Sequence, residues 1–289
     1  MQRAGQGLGD GRVILGQQHH AHGPNSTISR VSDYAADLAC ASRLADAADA
    51  ITLSRFRSRG LRIDRKPDRT PVTDADTAVE DAARSQIATE FPRDAVAGEE
   101  RGGQVGAGRT WMLDPVDGTK NFSRGVPVWA TLIALVVDGD PMVGVISAPA
   151  LGRRWWATAG DGAWLRDFQG TRRIGVSAVA TLADASVSTT NLSTWTEYHS
   201  LAAYLRLVDA CWENRAFGDF WQHCLVAEGA VDVAAEPIVN PWDVAAAQIL
   251  VTEAGGRFTD LTGAARFDGG SALSSNGLLH DAALSTLSP

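Results

Sequence analysis

Apolar and polar positions along the chain alternate between helical and extended spacing. Ala-rich sequence from Asp33 to Phe56 carries Tyr34, Leu38, Leu44 and Ile51 at helical intervals, which predicts a surface helix. A second helix is predicted through Ile87, capped by Asp74 or Asp76, with acids in a first turn that favours negative charge. It ends near Phe91-Pro92. Strands are predicted near Trp111–Leu113, Val128–Val137, Met142–Ala148, Trp155–Thr158 and Ala185–Thr190. Further on come helices over Glu197–Val208 and Asp219–Ala227, and a strand over Val231–Ala235. A helix then opens at Pro241-Trp242-Asp243 and runs through Ala254, followed by a strand over Gly256–Leu261. The longest apolar run, around Val126 to Val137, falls well short of the ~20 residues a membrane-spanning helix needs and reads as a buried strand. This interleaving predicts an α/β fold, a layered sandwich of alternating helices and sheets.

Length and charge narrow the picture. With 289 residues the chain can bury a sizeable core, and residues 31–289 are expected to form one domain of two merged α/β halves. Residues 1–30 are Gly- and His-rich and read as a disordered extension. Their apolar stretch, Val13-Ile14-Leu15, is shorter than the roughly 7–15 residues of a secretory signal. His19, His20 and His22 could bind a stray metal, but such a tail needs no function. A net charge of −8 without an offsetting Lys/Arg cluster argues against a nucleic-acid partner. Cys40, Cys211 and Cys224 lack C-x-x-C spacing and read as free thiols in a reducing, cytoplasmic setting, with no membrane partner.

The chemistry concentrates in residues 111–122, Trp-Met-Leu-Asp-Pro-Val-Asp-Gly-Thr-Lys-Asn-Phe. A strand-like run ends in Asp114, Asp117 follows three residues later, and Gly118-Thr119-Lys120 opens a helix. Carboxylates that close repel unless a cation separates them, and hard oxygen donors favour Mg²⁺ or Mn²⁺. Gly-Thr backbone N–H groups at a helix start suit phosphate oxygens. Taken alone, such a segment is a capped turn more often than not, with Asp as turn former and Gly for the bend. Other acids stand in comparable settings: Gly98-Glu99-Glu100, Asp74 to Asp76 after Lys66-Pro67, and Asp243 in Pro-Trp-Asp-Val-Ala-Ala.

These segments, in this order, resemble the inositol monophosphatase superfamily of Mg²⁺-dependent phosphatases, from roughly Asp33 to the C-terminus. Lys120 after D-G-T, Gly218-Asp219-Phe220 before a helix, and Glu236-Pro237 upstream of Asp243 resemble its actinobacterial histidinol-phosphatase branch. The resemblance implies a Mg²⁺ cofactor (Mn²⁺ as alternative), a small phosphorylated substrate and a homodimer. By position it implies Glu99, Asp114, Asp117 and Asp243 as carboxylate ligands, joined by the Val116 carbonyl. Asp76 and Thr119 are implied to orient the attacking water, Glu99 to share in catalysis, and the Gly118 and Thr119 N–H groups to hold phosphate. Asp219 and Glu236, with Lys120, are placed where the family contacts substrate. The blander readings are a solvated Glu99, a dipole-stabilising Asp243, a solvent-facing Lys120 and an N-capping Asp219.

Histidinol phosphate carries an ammonium and an imidazole partly protonated near neutral pH, so its pocket should offer carboxylates away from the metal. Inositol 1-phosphate and adenosine 3′,5′-bisphosphate are the alternative substrates, and a non-catalytic phospholigand-binding relative is the remaining alternative. The Trp155-Trp156 pair, on opposite strand faces, should bury one ring and leave the other at an edge or subunit contact.

Overall fold

The computed structural model describes residues 34–67 and 70–288. The sequence-predicted extension of residues 1–30, with its three histidines, lies outside them. The chain begins with α1 (Ala35–Arg55), an antiparallel pair β1 (Ile63–Arg65) and β2 (Pro71–Thr73), and α2 (Asp74–Glu90). A run of strands follows: β3 (Ala95–Gly98), β4 (Arg109–Asp117), the one-turn α3 (Thr119–Ser123), β5 (Ala130–Val137) and β6 (Asp140–Ala148). It continues through β7 (Arg153–Thr158), β8 (Gly162–Asp167) and β9 (Gly170–Ile174). The later part holds β10 (Ser186–Ser188), α4 (Leu192–Tyr198), α5 (Leu201–Ala210), β11 (Glu213–Arg215) and α6 (Asp219–Ala227). It closes with β12 (Val233–Glu236), α7 (Pro241–Glu253), β13 (Arg257–Thr259), β14 (Ala272–Ser275) and α8 (His280–Leu287).

Strands β3 to β9 form one seven-stranded sheet in sequence order, parallel only between β3 and β4. The other sheet runs β11-β10-β12-β14-β13, with a parallel half and an antiparallel half. Side-chain alternation assigns the faces. On β5, Ile133 and Leu135 pack with Cys40, Ala41, Leu44 and Ala45 of α1 and with Ala83 and Ile87 of α2. Leu132, Ala134 and Val136, one residue out of step, pack against Phe220 and Cys224 of α6 and Val244 to Val251 of α7. The smaller sheet puts Ala234 and Ala272 into that same cluster, while Val187, Val233 and Leu273 face α4, α5 and α8. The result is the expected layered sandwich, helices alternating with sheets, and α6 and α7 form the central layer. A strand covered on both sides cannot alternate polar with apolar, which is why β5 reads as one apolar run.

Contact between α7 and β6 depends on Gly144. A Cβ there would stand 2.6 Å from Ile249 Cγ2 and 2.9 Å from the Ala246 carbonyl oxygen. Gly144→Ala is therefore expected to lower stability by about 1–3 kcal/mol through overpacking. A denaturant melt with an unchanged midpoint would contradict this packing.

Several expectations need correction. The first helix is not a surface helix: its Cys40, Ala41, Leu44, Ala45 and Ala48 are buried, because small side chains let it lie close to the sheet. Neither Asp74 nor Asp76 caps α2. Thr73 does, accepting from Ala75 N at 3.2 Å, while Asp76 accepts from Thr73 N at 2.9 Å to complete a capping box. The helix expected over Glu197–Val208 is two helices, since Ser200 adopts an extended backbone and caps α5 through Ala203 N. Of the tryptophan pair, Trp155 is buried and donates through Nε1 to Glu228, and Trp156 is half-buried.

Candidate active site

The ends of several elements converge on one cleft. On β4, Asp114 pairs with Leu132 of β5 but Asp117 pairs with Ala130, so the strand carries one extra residue at Pro115-Val116. Proline has no N–H for the ladder, and the bulge re-aims the carboxylates that flank it. Thr131 Oγ1 donates to the Pro115 carbonyl at 2.7 Å and Val116 N to Asp114 Oδ1 at 3.0 Å. The chain then turns at Gly118, whose φ of 81° and whose missing Cβ, which would meet the Val128 carbonyl at 2.9 Å, both require glycine. Thr119 begins α3 and donates from Oγ1 to the Val116 carbonyl at 2.8 Å and towards Asp76 Oδ1 at 3.3 Å.

Glu99 follows β3, its N–H bonded to Leu113 O at 3.2 Å, so it stands beside Asp114's strand. Glu80, wholly buried on α2, holds the turn by accepting from Glu100 N and Arg101 N. Asp117 Oδ2 accepts from Phe220 N at the start of α6 at 2.6 Å, and Asp243 Oδ2 accepts from Asn240 N at 2.7 Å at the start of α7. A cleft of about 460 Å³ is lined by Glu99, Asp114, Val116, Asp117, Gly118, Thr119, Lys120, Asp219 and Asp243. A smaller chamber of about 130 Å³ shares Asp117, Asp219 and Asp243 with it and adds Glu236. Asp76 lines neither cavity; it is fully buried behind Thr119.

So much negative charge in one place shows in the protonation equilibria. Burial, then the charges of Glu99, Asp117 and Asp243, pushes Asp114 well up. Burial and then the Asp219 charge do the same to Asp117. Burial is the largest cause in raising Asp76 to about 6, Asp243 to about 7 and Glu236 to about 8. Lys66, on the β1–β2 connection, puts Nζ 2.7 Å from both Glu99 and Glu100. Burial alone would lower its pKa, but those two carboxylates hold it above the usual value. Lys120 is exposed at the rim and its charge opposes the burial that raises Asp219.

The donor set is carboxylate and carbonyl oxygen, which suits a hard divalent cation better than zinc or copper. The single Lys66 ammonium offsets only part of the charge of Glu99 and Glu100, so the cleft can still accept positive charge. Among the described residues, no group of three or more Asp, Glu, His or Cys side chains closes into a site that could hold a metal ion. The carboxylates lean instead on Lys66 and on the N–H groups of Val116, Phe220 and Asn240.

Residues 33–288 match the model of the inositol monophosphatase family. The chain belongs to that family. Its members are metal-dependent phosphatases acting on small phosphorylated substrates. As a family member it is 55% identical over 253 residues to the histidinol-phosphatase of Mycobacterium tuberculosis, covering 87% of this chain and 97% of that one. It is 50% identical over 260 residues to the histidinol-phosphatase of Streptomyces coelicolor, covering 88% and 98%. An inositol monophosphatase structure from Zymomonas mobilis superposes with a TM-score of 0.78 at 31% identity, covering 88% of this chain and 98% of that one. The likeness to the actinobacterial histidinol-phosphatase branch and the layered fold, both expected from the sequence, are thereby established.

Asp219 is not an N-cap, since Gly218 holds that position; it has φ 45°, a left-handed conformation that is strained for a non-glycine residue. Asp243 does sit in the first turn of α7, where it completes a capping box with Asn240, and it also faces both cavities. Sequence reasoning missed Glu80, Asn121, Thr190 and Gln222. Thr190 and Gln222 both donate to Glu236, and Asn121 Nδ2 donates to the Val128 carbonyl at 2.9 Å and to Asp219 at 3.3 Å. Asn121 stood inside the D-G-T-K-N-F motif and was the one with a signal; the others are ordinary polar residues placed by the fold.

Among the described residues no helix is long and apolar enough to cross a membrane, and Cys40, Cys211 and Cys224 are free thiols.

Proposed function

We propose that this chain is a Mg²⁺-dependent phosphomonoesterase that hydrolyses L-histidinol phosphate to L-histidinol and inorganic phosphate. The carrying observation is the acid-walled chamber of Asp219 and Glu236 directly beyond the carboxylate cleft. Its carboxyl groups would accept hydrogen bonds from a cationic leaving alcohol, whose charge would favour their ionised form, and the 55% identity to a histidinol-phosphatase supports the same substrate. Glu99, Asp114, Asp117, Asp243 and the Val116 carbonyl would hold Mg²⁺, with Mn²⁺ as the alternative. When bound, the metal offsets the phosphate charge and lowers the pKa of a coordinated water.

The chain's own groups do the rest. The Gly118 and Thr119 N–H groups hold the phosphoryl oxygens, and Lys120 adds positive charge at the rim. Thr119 Oγ1, fixed between Asp76 and the Val116 carbonyl, orients the attacking water together with Glu99. Asp76, raised to about 6, is suited to exchanging a proton near neutral pH. Water oxygen bonds to phosphorus as the ester P–O bond breaks, and the alcohol leaves with a proton. The free thiols fit a reducing compartment such as the cytoplasm, and a homodimer is part of the same reading, to be checked by sedimentation.

The test is phosphate release with Mg²⁺ from L-histidinol phosphate, inositol 1-phosphate and adenosine 3′,5′-bisphosphate. The expected preference in kcat/KM for histidinol phosphate is about a hundredfold, some 2.7 kcal/mol in the transition state. Glu236→Gln should erode that preference by about tenfold, chiefly through KM, because it removes the carboxyl group that a cationic leaving alcohol would hold ionised. A preference for either other ester would overturn the substrate and keep the phosphatase.

A further inference from the structure

Glu99 stands in a turn, and turns are the more mobile parts of a fold, yet this one is anchored from the helix beside it. Glu80, on α2, is wholly buried and meets the backbone of that turn with its carboxylate. Oε2 accepts from Glu100 N at 2.7 Å and Oε1 from Arg101 N at 3.1 Å. Arg84, one helical turn further along α2, donates from Nε to Glu80 Oε1 at 2.8 Å. Its other two nitrogens donate to the carbonyls of Val96 and Gly102. One carboxylate and one guanidinium thus hold N–H and C=O groups on both sides of Glu99.

The contact depends on glycine at one position. A Cβ on Gly98 would stand 2.6 Å from Glu80 Oε1, so only a residue without one lets the carboxylate come so near. Gly98 N donates to Gly102 O at 3.1 Å, and Glu99 N to Leu113 O at 3.2 Å. Glu99 is therefore fixed at its own N–H and at those of both neighbours. Asp76, Glu80 and Arg84 stand four residues apart and share one face of α2. From that face Asp76 accepts from the Thr119 hydroxyl at 3.3 Å, and Glu80 takes the Glu99 turn. One helix face spaces the two anchor points, about 6 Å apart along its axis.

A buried ion pair is a weak source of stability, because desolvation offsets most of the Coulomb attraction. What it supplies here is position. We propose that Glu80 is a positioning residue of the active site, which fixes Glu99 relative to Thr119 before the metal arrives. Glu80 lines neither cavity and acts only through the turn. The inference rests on the reading of Glu99 as a Mg²⁺ ligand and adds what holds that ligand in place.

Glu80→Gln tests it at nearly constant volume. The amide puts an N–H₂ where three groups already donate, so a donor must face a donor and the turn is released. Asp81→Asn is the control. Asp81 grips Arg101 of the same turn from outside, at 2.8 and 2.9 Å, and its side chain is half-exposed. Mg²⁺ affinity is read by calorimetry on the folded proteins, and kcat and KM for L-histidinol phosphate at saturating Mg²⁺. E80Q is expected to weaken Mg²⁺ binding by about tenfold and to lower kcat by about tenfold, the scale of losing a group that orients a metal ligand. KM for the ester should stay unchanged, and D81N should match the wild type in all three. Wild-type Mg²⁺ affinity in E80Q, or equal losses in E80Q and D81N, would overturn the inference and leave Glu99 as a ligand. A wild type that binds no Mg²⁺ overturns the ligand reading and the inference together. Should E80Q fail to fold, amide hydrogen exchange of the wild type decides. A turn set by Glu80 protects the Glu100 and Arg101 N–H groups already in the presence of a chelator. Amides that exchange freely until Mg²⁺ is added would show that the metal sets the turn, and the inference falls.

Discussion

Asp117→Asn is expected to leave a folded protein whose turnover has fallen by about a hundredfold to a thousandfold, the scale of losing one fixed electrostatic contact to a transition state. The side chain sits where the β4 bulge, the Gly118 turn and the start of α6 meet, and it faces both the cleft and the chamber. Asparagine has the same shape, and its carbonyl oxygen can still accept from Phe220 N, as Asp117 Oδ2 does at 2.6 Å. What it loses is the charge. Burial, then repulsion from Asp219 and Asp243, already disfavours that charge, so the metal-free variant should melt at or above the wild-type temperature. Steady-state assays with Mg²⁺ beside thermal scans with a chelator read both effects. Turnover within about tenfold of wild type would remove Asp117 from the ligand set.

A second large effect is expected in how the metal-free protein responds to pH. Asp76, Asp243 and Glu236 are raised to about 6, about 7 and about 8, against about 4 for carboxylates in an unfolded chain. Between those limits the folded state binds protons that the unfolded state has released. The difference in bound protons, unfolded minus folded, is therefore negative, and stability falls as pH rises. With a chelator, the melting temperature should drop between about pH 5 and about pH 8, by about 2–4 °C for each kcal/mol lost in a chain of this size. Mg²⁺ should flatten or reverse that slope, because its ligands must be deprotonated to bind it. At a hundred times its dissociation constant the ion would add about 2.7 kcal/mol. Identical profiles with and without Mg²⁺ would show that Asp243 and the other ligand carboxylates do not hold the ion.

What the sequence by itself determined is local chemistry. Asp-Pro-Val-Asp-Gly-Thr contains its own instructions: an apolar run that ends in Asp114, a glycine for the turn that opens a helix, and carboxylates three residues apart; the bulge at Pro115-Val116 that continues the strand to Asp117 came only with the structure. Trp242-Asp243 and Gly98-Glu99 are legible for the same reason, since each lies at an element boundary that a few neighbouring residues define. The family likeness rests on those segments, and the buried strand β5 was plain from its unbroken apolar run.

Tertiary structure decided whatever depends on residues far apart in sequence. Thr190, Gln222 and Glu236 become one hydrogen-bonded group only because α6 packs on the smaller sheet, and no local pattern announces it. The burial of α1 was misread because alanine and cysteine give a weak amphipathic signal, although they allow the closest approach to a sheet. The capping of α2 by Thr73 and the break at Ser200 were decided by competing side-chain hydrogen bonds at single residues. The unpartnered nitrogen of His223 is the extreme case. In sequence it is one histidine in an apolar helix, and only the packing shows that Ser274 partners one side of its ring while the other is buried with no partner among the described residues.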